Sequence, residues 1–147
     1  MSQRLKMLYG VYDRVIPVMR ARRMAFFEKA MGVSPGTRIL DLGGTSFNWQ
    51  WVSTPLDITI LNLPGIKVDY SVSGPHKIRF VEGDATDMPQ YGDRSFDIVF
   101  SNSVIEHVGG SEKQTAFAEE ARRIGRGYLI QTPSIWFPLE AHTGLPF

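Results

Sequence analysis

The sequence predicts an α/β fold, a doubly wound and mostly parallel sheet of about five strands, and three observations carry that expectation. Short runs rich in branched apolar residues recur along the chain, the segments between them are too long for hairpins, and the clearest run, Phe96-Asp97-Ile98-Val99-Phe100, is apolar almost throughout. Long connections imply parallel pairing through right-handed crossovers. A nearly continuous apolar run is what a strand covered on both faces requires.

The elements follow in order. Val15, the adjacent pair Val18 and Met19, Met24, Phe27 and Met31 recur with steps of three to five between them, which predicts an amphipathic helix over 12–31 ending near Gly32. Ser34-Pro35-Gly36 turns the chain into a first strand at 37–42, followed by Gly43-Gly44. Two further strands are expected at 58–63, stopped by Pro64-Gly65, and at 78–81, stopped by Gly83-Asp84. The fourth is the apolar run at 96–100. Ser111 is then expected to cap a helix carrying Phe117, Ala118, Ala121 and Ile124, and 127–131 supplies a fifth strand. Ser53-Thr54-Pro55 breaks any helix between the first two strands early. With no internal repeat or linker, the 147 residues read as a single domain: a helical segment at 1–36, a core at 37–133 and a final segment at 134–147.

Hydrophobic residues make up 43% and charged residues 21%, a balance that excludes a disordered or coiled-coil chain. No apolar run is long enough to span a bilayer and the first residues lack a signal-peptide core, so a cytoplasmic protein is expected. The absence of cysteine excludes disulfides and thiolate metal sites, and His76, His107 and His142 lack metal-ligand spacing, so no metal is expected. The net charge of +1 hides a basic N-terminus, where Arg4, Lys6, Arg14, Arg20, Arg22, Arg23 and Lys29 face only Asp13 and Glu28. That pattern reads as a solvated helix face or as a surface for an anionic partner. Without interleaved aromatic and basic residues, no nucleic-acid partner is expected.

Sheets of this kind bind ligands at the carboxyl ends of their strands. Asp41-Leu42-Gly43-Gly44-Thr45-Ser46 lies there, and its glycines allow a sharp turn and close backbone approach to a ligand, or simply a tight turn. Asn62 ends the second strand, where an amide can hydrogen-bond ribose hydroxyls. Gly83-Asp84-Ala85-Thr86-Asp87-Met88-Pro89 follows the third, and Ser101-Asn102-Ser103-Val104-Ile105-Glu106-His107-Val108 the fourth. The spacing at Gly43-Gly44 does not give the G-x-G-x-x-G of a nicotinamide-binding sheet.

In order and spacing these segments resemble the class I S-adenosylmethionine-dependent methyltransferases, especially the type 11 subgroup, over residues 37–133. The resemblance implies a Rossmann-like methyltransferase fold, S-adenosylmethionine as cofactor, S-adenosylhomocysteine as product, and a small-molecule or lipid- or sugar-linked methyl acceptor. It also implies that Asp41, Gly43, Gly44 and Thr45 wrap the methionine part, that Asn62 and Leu63 meet the ribose, and that Asp84 and Ala85 meet the adenine. Ser101 and Asn102 then line the methyl-transfer pocket, and Tyr12 belongs to a segment covering the cofactor. His107 and His142 are the candidate bases by residue type. Glu106 reads as a solvated or capping carboxylate, and Trp49, Trp51 and Trp136 as core or lid packing. Thr45 and Asn62 depart from the family pattern, which has a glycine and an acidic residue there.

The family's sheet has seven strands, and this chain stops soon after the fifth, so the fold is expected to be incomplete at its C-terminus. The exposed edge that results would be covered by residues 133–147 or by a partner chain, as in a homodimer, or be left as an association site. A noncatalytic binding module with the same fold is the alternative function.

Overall fold

The computed structural model describes residues 3–67, 71 and 74–133, with side chains described from residue 17 onward. Five strands form one sheet: β1 (Arg38–Leu42), β2 (Asp57–Asn62), β3 (Lys77–Glu82), β4 (Phe96–Asn102) and β5 (Gly125–Gln131). Their order is β3-β2-β1-β4-β5 and every pairing is parallel, so the expected architecture is present. From β1 the chain steps outward to β2 and β3, then crosses back to place β4 on the other side of β1. The sheet therefore switches direction between β1 and β4, where Leu42 lies in register with Ser101. A crevice opens at such a switch point.

Alternation along each strand divides the core between the two faces. Helix α1 (Gln3–Met31) lays Met24 and Phe27 against Ile39, Ile58, Ile60, Ile98 and Phe100, with Trp49 and Val52 beside them. Phe27, Trp49 and Phe100 meet edge to face, with ring centres 5.2–5.6 Å apart. On the opposite face, helix α2 (Ser111–Ile124) packs Phe117, Ala121 and Ile124 against Leu40, Leu42, Leu61 and Val99. With both faces covered, strands as apolar as β4 are stable.

One local expectation is corrected. Ser111 is the first residue of α2 and not its cap; extended Gly110 precedes it, and the Gly110 carbonyl accepts from the Gln114 amide (3.1 Å). Between β1 and β2 the helix ends early, as expected: it is a short 3₁₀ segment, Ser46–Trp51, that closes before Ser53-Thr54-Pro55. Helix α1 begins nine residues before the expected 12 and ends as expected, where Gly32 takes φ +59°.

The loop from β3 to β4 carries no helix of its own, and α2 holds it. The Arg123 guanidinium donates to both Glu120 oxygens (2.7 and 2.8 Å), to the carbonyls of Tyr91 (2.7 Å) and Met88 (3.1 Å), and to Asp93 (3.2 Å). Glu120 in turn accepts from the Met88 amide (2.8 Å). A planar fork of donors suits this task better than an ammonium. Arg123→Lys is accordingly expected to speed amide exchange across residues 84–95 while leaving β1 and β4 protected, measured by hydrogen–deuterium exchange.

Candidate functional site

Four strand ends converge at the switch point. Gly43 follows β1, Asn62 ends β2 and Leu63 follows it, Gly83, Asp84 and Ala85 follow β3, and Ser103 and Val104 follow β4. With Leu61, Ile66, His107, Val108 and Lys113 they line a cleft of about 300 Å³.

The two glycines after β1 are required for different reasons. Gly43 has φ +71°, and a Cβ there would stand 2.6 Å from a Val104 methyl. Its amide donates to the Leu61 carbonyl (2.7 Å), tying the turn to β2. Gly44 covers Asp41 so closely that a Cβ would fall on the carboxylate. Asp41 itself is fully buried; Trp49 Nε1 donates to Oδ2 (2.8 Å), while Oδ1 has no hydrogen-bond partner among the described residues. Burial pushes its carboxyl up to about 7, and the Trp49 hydrogen bond offsets only part of that rise.

Both departures from the family pattern have local causes. Thr45 is extended (φ −133°, ψ 159°), so no glycine is needed there. Asn62 donates from Nδ2 to the Gly44 carbonyl (3.0 Å), a bond that a carboxylate cannot make, and leaves Oδ1 to accept.

Asp84 stands exposed at the cleft. Its Oδ1 accepts from the Thr86 amide (2.8 Å) and hydroxyl (2.7 Å). These bonds, the amide first, hold its carboxyl below the usual carboxylate range, with Lys113 acting in the same direction. Exposed Leu63 and Ile66 offer apolar surface on the β2 side, and Val104 and Val108 do so on the β4 side. Apolar walls with a few polar groups at their ends suit a flat heterocycle joined to a sugar. The bare backbone of Gly43, where a side chain would fill the space, adds close approach. The residues present therefore fit an adenosyl cofactor.

The structure brings Gly43, Asn62, Leu63, Asp84, Ala85 and His107 to the cleft. It does not bring Asp41 there, because Gly44 lies over it. Nor does it bring Ser101, which is fully buried and donates its hydroxyl to the Leu42 carbonyl (3.0 Å), stitching β4 to β1. The Asn102 side chain turns to the α1 face and accepts from Arg23 (2.9 Å), while Gly44 and exposed Thr45 lie outside the cleft lining. Tyr12 falls in the part of α1 whose side chains are not described, and His142 and Trp136 lie outside the described residues. Glu106 is neither solvated nor a cap: both carboxylate oxygens are buried without a hydrogen-bond partner among the described residues. Trp49 is core, as expected.

Sequence reasoning missed Leu61, Ile66 and Lys113 as cleft residues, and held Gly83, Ser103, Val104 and Val108 only as parts of the motif segments, with no role of their own. Ser103 takes φ +58°, rare for a residue with a side chain, and its amide donates to the Gln131 carbonyl (2.8 Å). Nothing in the local pattern flags that strain. Lys113 reaches the cleft because α2 starts beside it, which only the tertiary fold reveals.

Comparison with known proteins agrees with this geometry. A family model described as a methyltransferase domain matches residues 40–130. Among curated proteins none matches the sequence. A SAM-dependent methyltransferase structure from Methanosarcina mazei is similar at TM-score 0.50 and 15% identity, over 64% of this chain and 50% of that one. The Haemonchus contortus phosphoethanolamine N-methyltransferase 2, solved with phosphomonomethylethanolamine and S-adenosylhomocysteine, is similar at TM-score 0.54 and 17% identity, over 74% of this chain and 27% of that one. The chain thus spans half or less of these relatives' length. At such identities the structures show the fold, and the family model, which covers more than half of the sequence, shows the kinship. The chain belongs to the methyltransferase domain family, with S-adenosylmethionine as its cofactor.

Proposed function

We propose that this protein carries out S-adenosylmethionine-dependent methyl transfer to a small-molecule or lipid- or sugar-linked acceptor. The observation that carries the proposal is the convergence of Gly43, Asn62 and Asp84 on one cleft at the switch point of the sheet.

Bound there, the cofactor would supply an already activated methyl group on its sulfonium, so no covalent enzyme intermediate is needed. The chain's own work is positioning. Asp84 would accept from the adenine amino group, with Ala85 beside it. Asn62 Oδ1 and the Leu63 backbone would meet the ribose, and the bare Gly43 backbone would lie along the methionine part. Asp41 and Gly44 act from beneath by fixing that turn, and Ser101 and Asn102 by fixing the end of β4. Tyr12 would cover the cofactor and Thr45 flank it. His107, at the cleft wall, and His142 are the candidate proton acceptors where the acceptor atom must lose a proton. The outer edge of β5, which pairs only with β4 among the described strands, supports a homodimer, to be tested by sedimentation. No described helix is long and apolar enough to cross a membrane.

Calorimetric titration with S-adenosylmethionine and S-adenosylhomocysteine, against NAD, tests the site. Binding of both adenosyl compounds and not of NAD is expected; binding without methyl transfer to any acceptor in an extract would favour a noncatalytic module. Asp84→Asn should weaken binding about tenfold or more, the worth of one charge-assisted hydrogen bond, because the amide still accepts from Thr86 but loses its charge. Unchanged affinity in that variant would overturn the adenine assignment.

A further inference from the structure

Among the arginines whose side chains are described, Arg38, Arg79, Arg123 and Arg126 each meet a carboxylate. Arg20, Arg22, Arg23, Arg94 and Arg122 meet none among the described residues; Arg22, Arg94 and Arg122 are exposed, whereas Arg20 and Arg23, three residues apart on α1, are half-buried. Arg23 is half-buried at the carboxyl end of the sheet, where Nη1 donates to Asn102 Oδ1 (2.9 Å) and Nη2 to Asn48 Oδ1 (3.3 Å). Its Nε–H is buried without a partner among the described residues. Arg20 lies over the Phe47 ring, 4.9 Å from its centre. Burial of Arg23, and after it the charge of Arg20, disfavour the Arg23 cation.

Among the described residues, two cations are thus held side by side by neutral groups. A partly buried charge without a counter-charge is costly unless something else supplies it. The surrounding chemistry is consistent: with an oxygen of each accepting from Arg23, Asn48 and Asn102 keep their amide N–H groups to donate. Guanidinium and amide donors together form a surface rich in donors, suited to the planar or tetrahedral oxygens of an anion. Its position ties it to the cleft, because Asn102 immediately precedes Ser103, a cleft-lining residue, at the switch point.

We infer that Arg20 and Arg23, with Asn48 and Asn102, form an oxyanion site that holds a carboxylate or phosphate group of the methyl acceptor on the α1 side of the cleft. This rests on the methyl-transfer reading for the ligand's role, but the site itself can be tested separately. An acceptor anchored there would present its reacting atom across the end of β4, so the anion would orient it without taking part in the chemistry.

The test follows the arginine Nε–H resonances of the ¹⁵N-labelled full chain during titration with inorganic phosphate and with acetate. Ionic strength is held with chloride, and each titration is run with and without saturating S-adenosylhomocysteine. At least one anion should shift the Arg20 and Arg23 signals and saturate at millimolar concentration. Arg23→Gln should weaken that binding about tenfold, the loss expected for one charge-assisted contact, and S-adenosylhomocysteine affinity should not change. Arg20→Gln, which leaves the Arg23 bonds to Asn48 and Asn102 in place, should do the same should the first variant fold poorly. A response to phosphate alone indicates a phosphorylated acceptor, and to acetate alone a carboxylic acid. Signals that neither anion moves, equal binding by both variants and the parent, or shifts produced only by RNA or anionic vesicles would overturn the site. A chain that fails to bind S-adenosylhomocysteine yet responds to phosphate would defeat the methyl-transfer reading and leave the oxyanion site standing.

Discussion

Replacing Gly44 with alanine is expected to cost the protein several kcal/mol of stability and its ability to bind S-adenosylhomocysteine, although a single methyl group is added. That methyl would fall on the Asp41 carboxylate. The carboxylate has nowhere to go: it is fully buried and held by Trp49, and the Trp49 ring is wedged edge to face between Phe27 and Phe100. Overpacking a site of this kind costs about 1–3 kcal/mol and more where neighbours cannot yield. Total stabilities run to only about 5–15 kcal/mol. Relief would come from lifting the Gly43-Gly44 turn, which separates the Gly43 amide from the Leu61 carbonyl and moves the cleft floor. Chemical denaturation and calorimetric titration should therefore show both losses together. Asp41→Ala combined with Gly44→Ala removes the opposing group, and a strong positive coupling between the two is expected. Strictly additive losses would mean that the turn does not rest on Asp41.

How much of this could be read from the chain alone depends on the range of each interaction. Parallel strands buried on both faces declare themselves locally, because Ile39-Leu40 and Ile98-Val99-Phe100 must be apolar on both sides to fit. Their pairing into a five-stranded sheet followed from connection length. Gly43, Asn62 and Asp84 could be picked out as candidates at the strand ends, because a ligand there would need bare backbone and polar tips at fixed points of the chain, and all three line the cleft. Asp41 illustrates the limit: its place in the motif marks it as important, yet only the packing of Gly44 and Trp49 around it shows that it supports the cleft from below. Ser101 and Asn102 lie side by side in sequence, and strand alternation sends them to opposite faces, one onto β1 and the other toward Arg23. The role of Arg23 was legible only as charge. Its lack of a carboxylate partner among the described residues depends on residues 25 and 79 positions away.

The buried carboxyl of Asp41 should also leave a mark on stability against pH. Its folded-state value is raised from 3.8 to about 7 by desolvation, so the folded protein binds this proton more tightly than the unfolded chain does. The stabilisation that results is complete below the unfolded value, falls as pH rises through the window from 3.8 to about 7, and is gone above it. A shift of roughly three units corresponds to about 4 kcal/mol over that window. Asp84 and Glu120, whose carboxyls are held below their ordinary range, act in the opposite sense, so the total pH profile mixes the two. Asp41→Asn separates them: it is nearly isosteric, its amide oxygen can still accept from Trp49, and it does not titrate. Denaturation of parent and variant from pH 4 to 8 should show the variant gaining on the parent steadily as pH rises, by a few kcal/mol in all, with the difference levelling off above neutrality. A difference that stays flat across this range would mean that Asp41 is ionised in the folded protein at ordinary carboxylate pH, stabilised by a partner to its Oδ1. The Gly43-Gly44 turn would then rest on a charge, and S-adenosylhomocysteine affinity, measured in the same variant, should fall with it.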